Sequence, residues 1–86
     1  GSADAQAMLG YFYQKGDRVT ADIEAAIKWY LAAAEQNNAA AQNNLGLIYQ
    51  VGDGVPKNLD QAIFWYERAA DNGSASADRN LEKLLP

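Results

Sequence analysis

Shifted along itself by thirty-six residues, the chain falls into register with no gap. Ala5, Gln6, Leu9, Gly10, Tyr13, Gln14, Gly16, Asp17 and Val19 meet Ala41, Gln42, Leu45, Gly46, Tyr49, Gln50, Gly52, Asp53 and Val55. Ala26, Ile27, Trp29, Tyr30, Ala33 and Ala34 meet Ala62, Ile63, Trp65, Tyr66, Ala69 and Ala70. A period in the range of about 20–50 residues marks stacked supersecondary units, none of which buries its apolar face alone. Each unit must therefore be closed by a neighbour, and function narrows to the surface that the stack presents.

The apolar spacing makes those units helix pairs. Ala5, Met8, Leu9, Phe12 and Tyr13 recur three and four apart, which predicts an amphipathic helix over residues 3–15, ended by Gly16-Asp17. Asp22 is an N-cap for a second helix with the stripe Ile23, Ala26, Ile27, Tyr30, Ala33 and Ala34, closed by Asn37-Asn38. The next unit repeats this with Ala41, Leu45, Ile48 and Tyr49, the loop GDGVPKN, and Leu59, Ala62, Ile63, Tyr66, Ala69 and Ala70, stopped by Asn72-Gly73. Asn58 caps its second helix, and Gln61 three places on fits a capping box. A third copy runs halfway: Ala75, Ala77, Asn80 and Leu81 match Ala39, Ala41, Asn44 and Leu45, but Glu82 stands where Gly46 is expected. A charge there suits a terminal helix with one face in water. The expectation is all-α: five helices, with repeats at 3–38 and 39–74, a capping helix at 75–86, and Gly1-Ser2 as a cloning scar before a single domain.

The repeated small residues carry a packing expectation. Gly10 and Gly46 each cost roughly 1 kcal/mol relative to Ala in mid-helix. Such a cost, met twice, points to a close approach of two helix backbones, with Ala26, Ala33 and their copies as the shallow facing surface. Tyr13, Trp29, Tyr30 and their copies are expected to fill the wedge between units, with polar tips near loops or surface.

Composition removes whole classes of function. Net charge is −4, from eleven acidic against seven basic residues, and the basic residues are scattered from Lys15 to Lys83. Phosphate-backbone binding needs them clustered, so nucleic acid is not an expected partner. With no Cys and no His, disulfides, zinc sites of the usual kind and imidazole-based nucleophilic catalysis are ruled out. Asp17 and Asp53 supply one carboxylate per loop, far short of a six-to-eight-oxygen calcium cage, and suit turns instead. No apolar run approaches the ~20 residues of a membrane span, and the first residues show neither a basic n-region nor an apolar h-region. No cofactor, metal or catalytic site is expected.

The repeated motif stands as Leu45-Gly46, Tyr49, Gly52, Gly54-Val55, Ala62, Trp65-Tyr66 and Ala69-Ala70, and earlier as Leu9-Gly10, Tyr13, Gly16, Val19, Ala26, Trp29-Tyr30 and Ala33-Ala34. With these residues the chain resembles the Sel1-like repeat family, relatives of tetratricopeptide repeats with a longer loop in each helix pair. The first copy departs at Arg18 and Thr20, where the second has Gly54 and Pro56; a positive φ at that glycine would strain Arg18 or send the first loop elsewhere. The resemblance covers essentially residues 3–85. It implies a right-handed α/α superhelix with adaptor and scaffold roles and no general catalytic activity.

By further resemblance to tetratricopeptide domains, the first helix of each pair lines a concave groove that holds a peptide. Carried over residue by residue, that groove comprises Asp4, Ala7, Tyr11 and Gln14, then Ala40, Asn43, Leu47 and Gln50, with Arg79 and Lys83 from the capping helix. The same positions suit ordinary solvated helix faces. As a set, Tyr11 and Leu47 are apolar where the core stripe makes no claim, Asn43 and Gln50 suit an extended peptide backbone, and Arg79 and Lys83 suit a carboxylate. The carboxylate clamp of chaperone-binding tetratricopeptide domains is not expected, because Ala7, Tyr11 and Leu47 stand where it needs polar or basic groups. Phe64, at the place of Lys28, is a rim core residue or a small contact for another chain.

Two functions follow. The leading one is a non-catalytic interaction module binding a peptide or protein segment on the concave face. The alternative is an engineered or excised solenoid piece that is structural or self-associates through its ends. Two repeats are fewer than the usual three, and Met8, Tyr11 and Phe12 would lie exposed at the front.

Overall fold

A computed structural model describes residues 2–16 and 19–85. The expected helices form: α1 (Ala3–Lys15), α2 (Ile23–Ala34), α3 (Ala39–Val51), α4 (Leu59–Asp71) and α5 (Ala75–Leu84), with no strand among the described residues. Each starts on a polar N-cap. Ser2, Asp22, Asn38, Asn58 and Ser74 accept the backbone N–H of Ala5, Ala25, Ala41, Gln61 and Ala77, each cap contributing ~1 kcal/mol. Gly16 and Gly52 end α1 and α3 at φ 75° and 77°, where a side chain is penalised. Asn37 takes the same left-handed conformation at φ 64°, as its place after α2 predicts.

The capping box at α4 forms only by half. Asn58 caps Gln61, but the Asn58 N–H donates to the Tyr49 carbonyl at 2.9 Å, so it has no need of the Gln61 side chain. Asp22 makes the equivalent bond to Tyr13 at 2.9 Å. These bonds tie the start of each second helix to the end of the first. At the other end, Gln36 beyond α2 reaches Gln6 near the start of α1, so the pair is antiparallel.

The core forms in two parts. Ala26, Tyr30, Ala33 and Ala34 of α2 bury against Ala41, Leu45 and Ile48 of α3, with Val55 and Trp65 of the second repeat packed on the same cluster. Ala62, Tyr66 and Ala69 of α4 close with Ala77 of α5. The first cluster is thus an inter-repeat joint, as a solenoid requires. The front of α1 has no such cover: Leu9 is 36% exposed and Met8 57%, whereas Leu45, the counterpart of Leu9, is fully buried.

Two packing expectations are corrected. The tight approach at Gly10 and Gly46 is to an aromatic ring, and not to the alanines of a facing backbone. A Cβ at Gly10 would lie 2.7 Å from Tyr30 Cδ1, and one at Gly46 2.5 Å from Tyr66 Cε1. Tyr30 and Tyr66 therefore fill the space inside each pair, and Trp65 is the aromatic that reaches across units. Gly54 does take positive φ, +75°, and a Cβ there would strike Ile23 Cγ2 at 2.6 Å, so the second loop folds onto the start of α2. The corresponding expectation for Arg18, and the turn role of Asp17, lie outside the described residues. No helix of the described residues is long and apolar enough to cross a membrane.

Candidate protein-binding face

The antiparallel pairing leaves α1, α3 and α5 side by side, with Asn80 of α5 donating through Nδ2 to Asn43 Oδ1 of α3 at 3.1 Å. The thirty-six-residue register then sets two rungs across these helices. Ala7, Asn43 and Arg79 form one, and Tyr11, Leu47 and Lys83 the other. The second rung is the open one: Tyr11 is 47% and Leu47 36% exposed. Arg79 and Lys83 are exposed beside them, and Arg79 Nη2 makes a long 3.4 Å contact to Ser76 Oγ. Lys15 Nζ stands over the Tyr11 ring at 5.9 Å from its centroid. The face therefore offers an apolar pair with cations at both ends, chemistry suited to a segment carrying an apolar side chain and a carboxylate.

Three of the polar residues expected on this face have internal partners. Gln14 and Gln50 sit four residues after Gly10 and Gly46, on the side that meets the second helix of the pair. Their Oε1 atoms accept the hydroxyl of Tyr30 at 2.6 Å and of Tyr66 at 2.5 Å. The Asn43 oxygen is taken by Asn80. Each amide keeps its N–H2 to offer a ligand, but the oxygens are committed. Asp4 likewise accepts from Asn38 Nδ2 at 2.9 Å, joining α1 to the α2–α3 turn.

Burial pushes the Tyr30 and Tyr66 hydroxyls up to about 12. For Tyr30 the neighbouring Tyr11 adds to the rise and a side-chain hydrogen bond with Asn44 opposes it. Both phenols stay protonated at neutral pH and act as structural donors.

A second concavity opens between α4 and α5, a cleft of about 530 Å³ floored by Phe64, Arg68, Ala70 and Leu81 and edged by Glu67, Asp71 and Asp78. Phe64 is 46% exposed, and the Arg68 guanidinium lies over both Phe64 and Trp65, at 5.5 and 5.6 Å. Phe64 is therefore a rim residue. No group of three or more potential metal ligands occurs among the described residues.

Sequence reasoning missed Gln42. It is the one polar side chain in the fully buried set, donating to the Ala34 carbonyl at 3.0 Å and accepting from Asn72 Nδ2 at 3.0 Å. Its repetition at Gln6 was the available signal, since a polar residue recurring beside a core stripe is either buried and paired or presented for binding.

The Sel1 repeat family matches the chain twice, at residues 3–38 and 39–74. No curated protein sequence matches it. Among solved structures, a Sel1 repeat protein from Oxalobacter formigenes is 45% identical, with a TM-score of 0.91 over 95% of this chain and 34% of its own. A protective antigen of uropathogenic Escherichia coli strains, displaying an SLR fold, is 34% identical with a TM-score of 0.92, over 98% of this chain and 18% of its own. Helicobacter pylori cysteine rich protein B is 33% identical with a TM-score of 0.85, over 92% and 59%. The chain thus spans about a third of the Oxalobacter protein's length and less than a fifth of the antigen's.

Proposed function

The chain belongs to the Sel1 repeat family, commonly protein–protein interaction scaffolds, and from that premise we propose that it is a non-catalytic scaffold. Its ligand is a peptide or protein segment held on the concave face, across α1, α3 and α5. The observation that carries this reading is the rung of Tyr11, Leu47 and Lys83, where register-equivalent positions are apolar or basic and exposed. Packing makes no demand there, so the choice of residue is free to serve a ligand. The preferred ligand presents an apolar side chain to Tyr11 and Leu47 and a carboxylate to Arg79 and Lys83. The free amide N–H groups of Gln14, Asn43 and Gln50 hold its backbone carbonyls, beside Ala7.

A peptide array with free C-terminal carboxylates tests this. We expect the wild-type chain to select apolar-acidic peptides. The Leu47→Asp, Arg79→Glu double variant should lose about tenfold or more of the signal, because it buries a charge on one rung and reverses one on the other. Retention of the same peptides at equal intensity by the folded double variant would rule the face out.

A further inference from the structure

The α2–α3 joint is assembled from a repeated set of residues, and the chain carries one copy of that set with nothing on it. In the joint, Ala41 and Leu45 of α3 are fully buried against Ala26, Tyr30, Ala33 and Ala34 of α2. Gln42 fastens it by donating to the Ala34 carbonyl at the end of α2 and accepting from Asn72 beyond α4. On α1 the same face reads Ala5, Gln6 and Leu9. Gln6 already makes half of the equivalent arrangement, accepting from Gln36 Nε2 at 2.6 Å. The Gln6 amide N–H2 has no acceptor among the described residues. Ala5 and Leu9 are exposed where Ala41 and Leu45 are sealed.

The other end of the molecule shows what the glutamine contributes. α5 meets α4 as α3 meets α2, but Asp78 stands at the register of Gln42 and has no N–H to offer the α4 carbonyls. That joint gapes as the cleft lined by Asp78, Ala70 and Leu81. A joint with Gln is closed and a joint with Asp is open. α1 carries the Gln.

We infer that the front face of α1, formed by Ala5, Gln6 and Leu9, is a docking surface for an α-helix from another protein segment. The helix would have the pattern Ala-x-x-x-Tyr-x-x-Ala-Ala that Ala26, Tyr30, Ala33 and Ala34 display, and its last-turn carbonyl accepts from Gln6. A folded second copy cannot supply that helix. Both helices of this pattern are already enclosed, α2 between α1 and α3, and α4 between α3 and α5. The surface is distinct from the concave face and takes a helix, not an extended peptide.

The probe is a synthetic peptide of residues 22–38, held helical by a lactam between the exposed side chains of Glu24 and Lys28, since a free helix of this length is marginal in water. Titrated into the isotope-labelled chain, it should shift the Ala5, Gln6 and Leu9 amides saturably. Leu9→Asp should weaken binding at least about tenfold by placing a charge in the apolar contact. Gln6→Glu keeps the acceptor for Gln36 and removes only the donor, and should weaken binding by about tenfold through one unmade buried hydrogen bond. Circular dichroism confirms that both variants fold, and a Tyr30→Asp peptide should not bind. The proposal is overturned by the absence of saturable shifts, by binding indifferent to both substitutions, or by shifts on α3, which mean that the peptide has replaced the chain's own α2. Shifts at Leu9 on concentrating the chain alone also overturn it, in favour of a second copy.

Discussion

At the level of single residues, Gly46 is the most constrained position in the chain. Adding a methyl there gains up to ~1 kcal/mol of helix propensity. The same methyl meets Tyr66 Cε1 at 2.5 Å, and overpacking of that kind costs typically 1–3 kcal/mol. The clash wins, so Gly46→Ala should destabilise by about 1 kcal/mol and Gly46→Leu should prevent stable folding. In a Tyr66→Ala background the sign should reverse, with Gly46→Ala now stabilising; urea denaturation of the four variants checks this, and equal costs in both backgrounds would refute the ring contact. The glycine's close approach was legible from its repeated cost, but its neighbour was not. Helical periodicity says which residues share a face, and not which side chain from the opposite helix lands there. Gln14 and Gln50 show the same boundary. Read as polar residues on an open helix, they suit a ligand's backbone; in the fold each also holds a tyrosine hydroxyl sixteen residues away. Their spacing of four from Gly10 and Gly46 placed them toward the second helix, a signal that needed the glycine's partner to be known first.

At the level of the helix pair, the two buried tyrosines make stability sensitive to alkali. Their folded pKa values, about 12, stand above the ordinary 10. Below pH 10 both states are protonated and the stability is fully present. Between pH 10 and 12 the unfolded chain ionises while the folded one resists, so stability falls, on the order of 2 kcal/mol per tyrosine, and levels off above. Urea midpoints measured from pH 9 upward should show this slope, and Tyr30→Phe with Tyr66→Phe should remove most of it. An unchanged slope in the double variant would assign the effect to other groups. Helix boundaries and caps were readable in advance because Ser, Asp and Asn at N-caps and Gly or Asn after C-termini act locally. The failed return of Gln61 was not, since it depends on the Asn58 N–H finding Tyr49 across the loop.

For the molecule as a whole, burial is uneven along the stack, and three leucines in one register measure it. Leu45 is fully buried, Leu9 is 36% exposed and Leu81 is intermediate. Leu45→Ala should cost about 2–5 kcal/mol and Leu9→Ala about 1 kcal/mol or less, with Leu81→Ala between them. Calorimetry on the three variants checks the order; a cost at Leu9 equal to that at Leu45 would mean that the front of α1 is covered in solution. The periodic sequence made the stack legible, yet identical residues carry no mark of whether a neighbour is present. The bond from Asn58 to Tyr49 has an effect at this scale too. It closes the neck of the loop between α3 and α4, so the segment between acts as a lobe whose length is uncoupled from the rise of the superhelix. The turn from Glu35 to Asn38 has no such neck, because its residues are at once the end of α2 and the cap of α3. Length can therefore vary at the lobes, where variable surface can be displayed, while the tight turns keep the pitch.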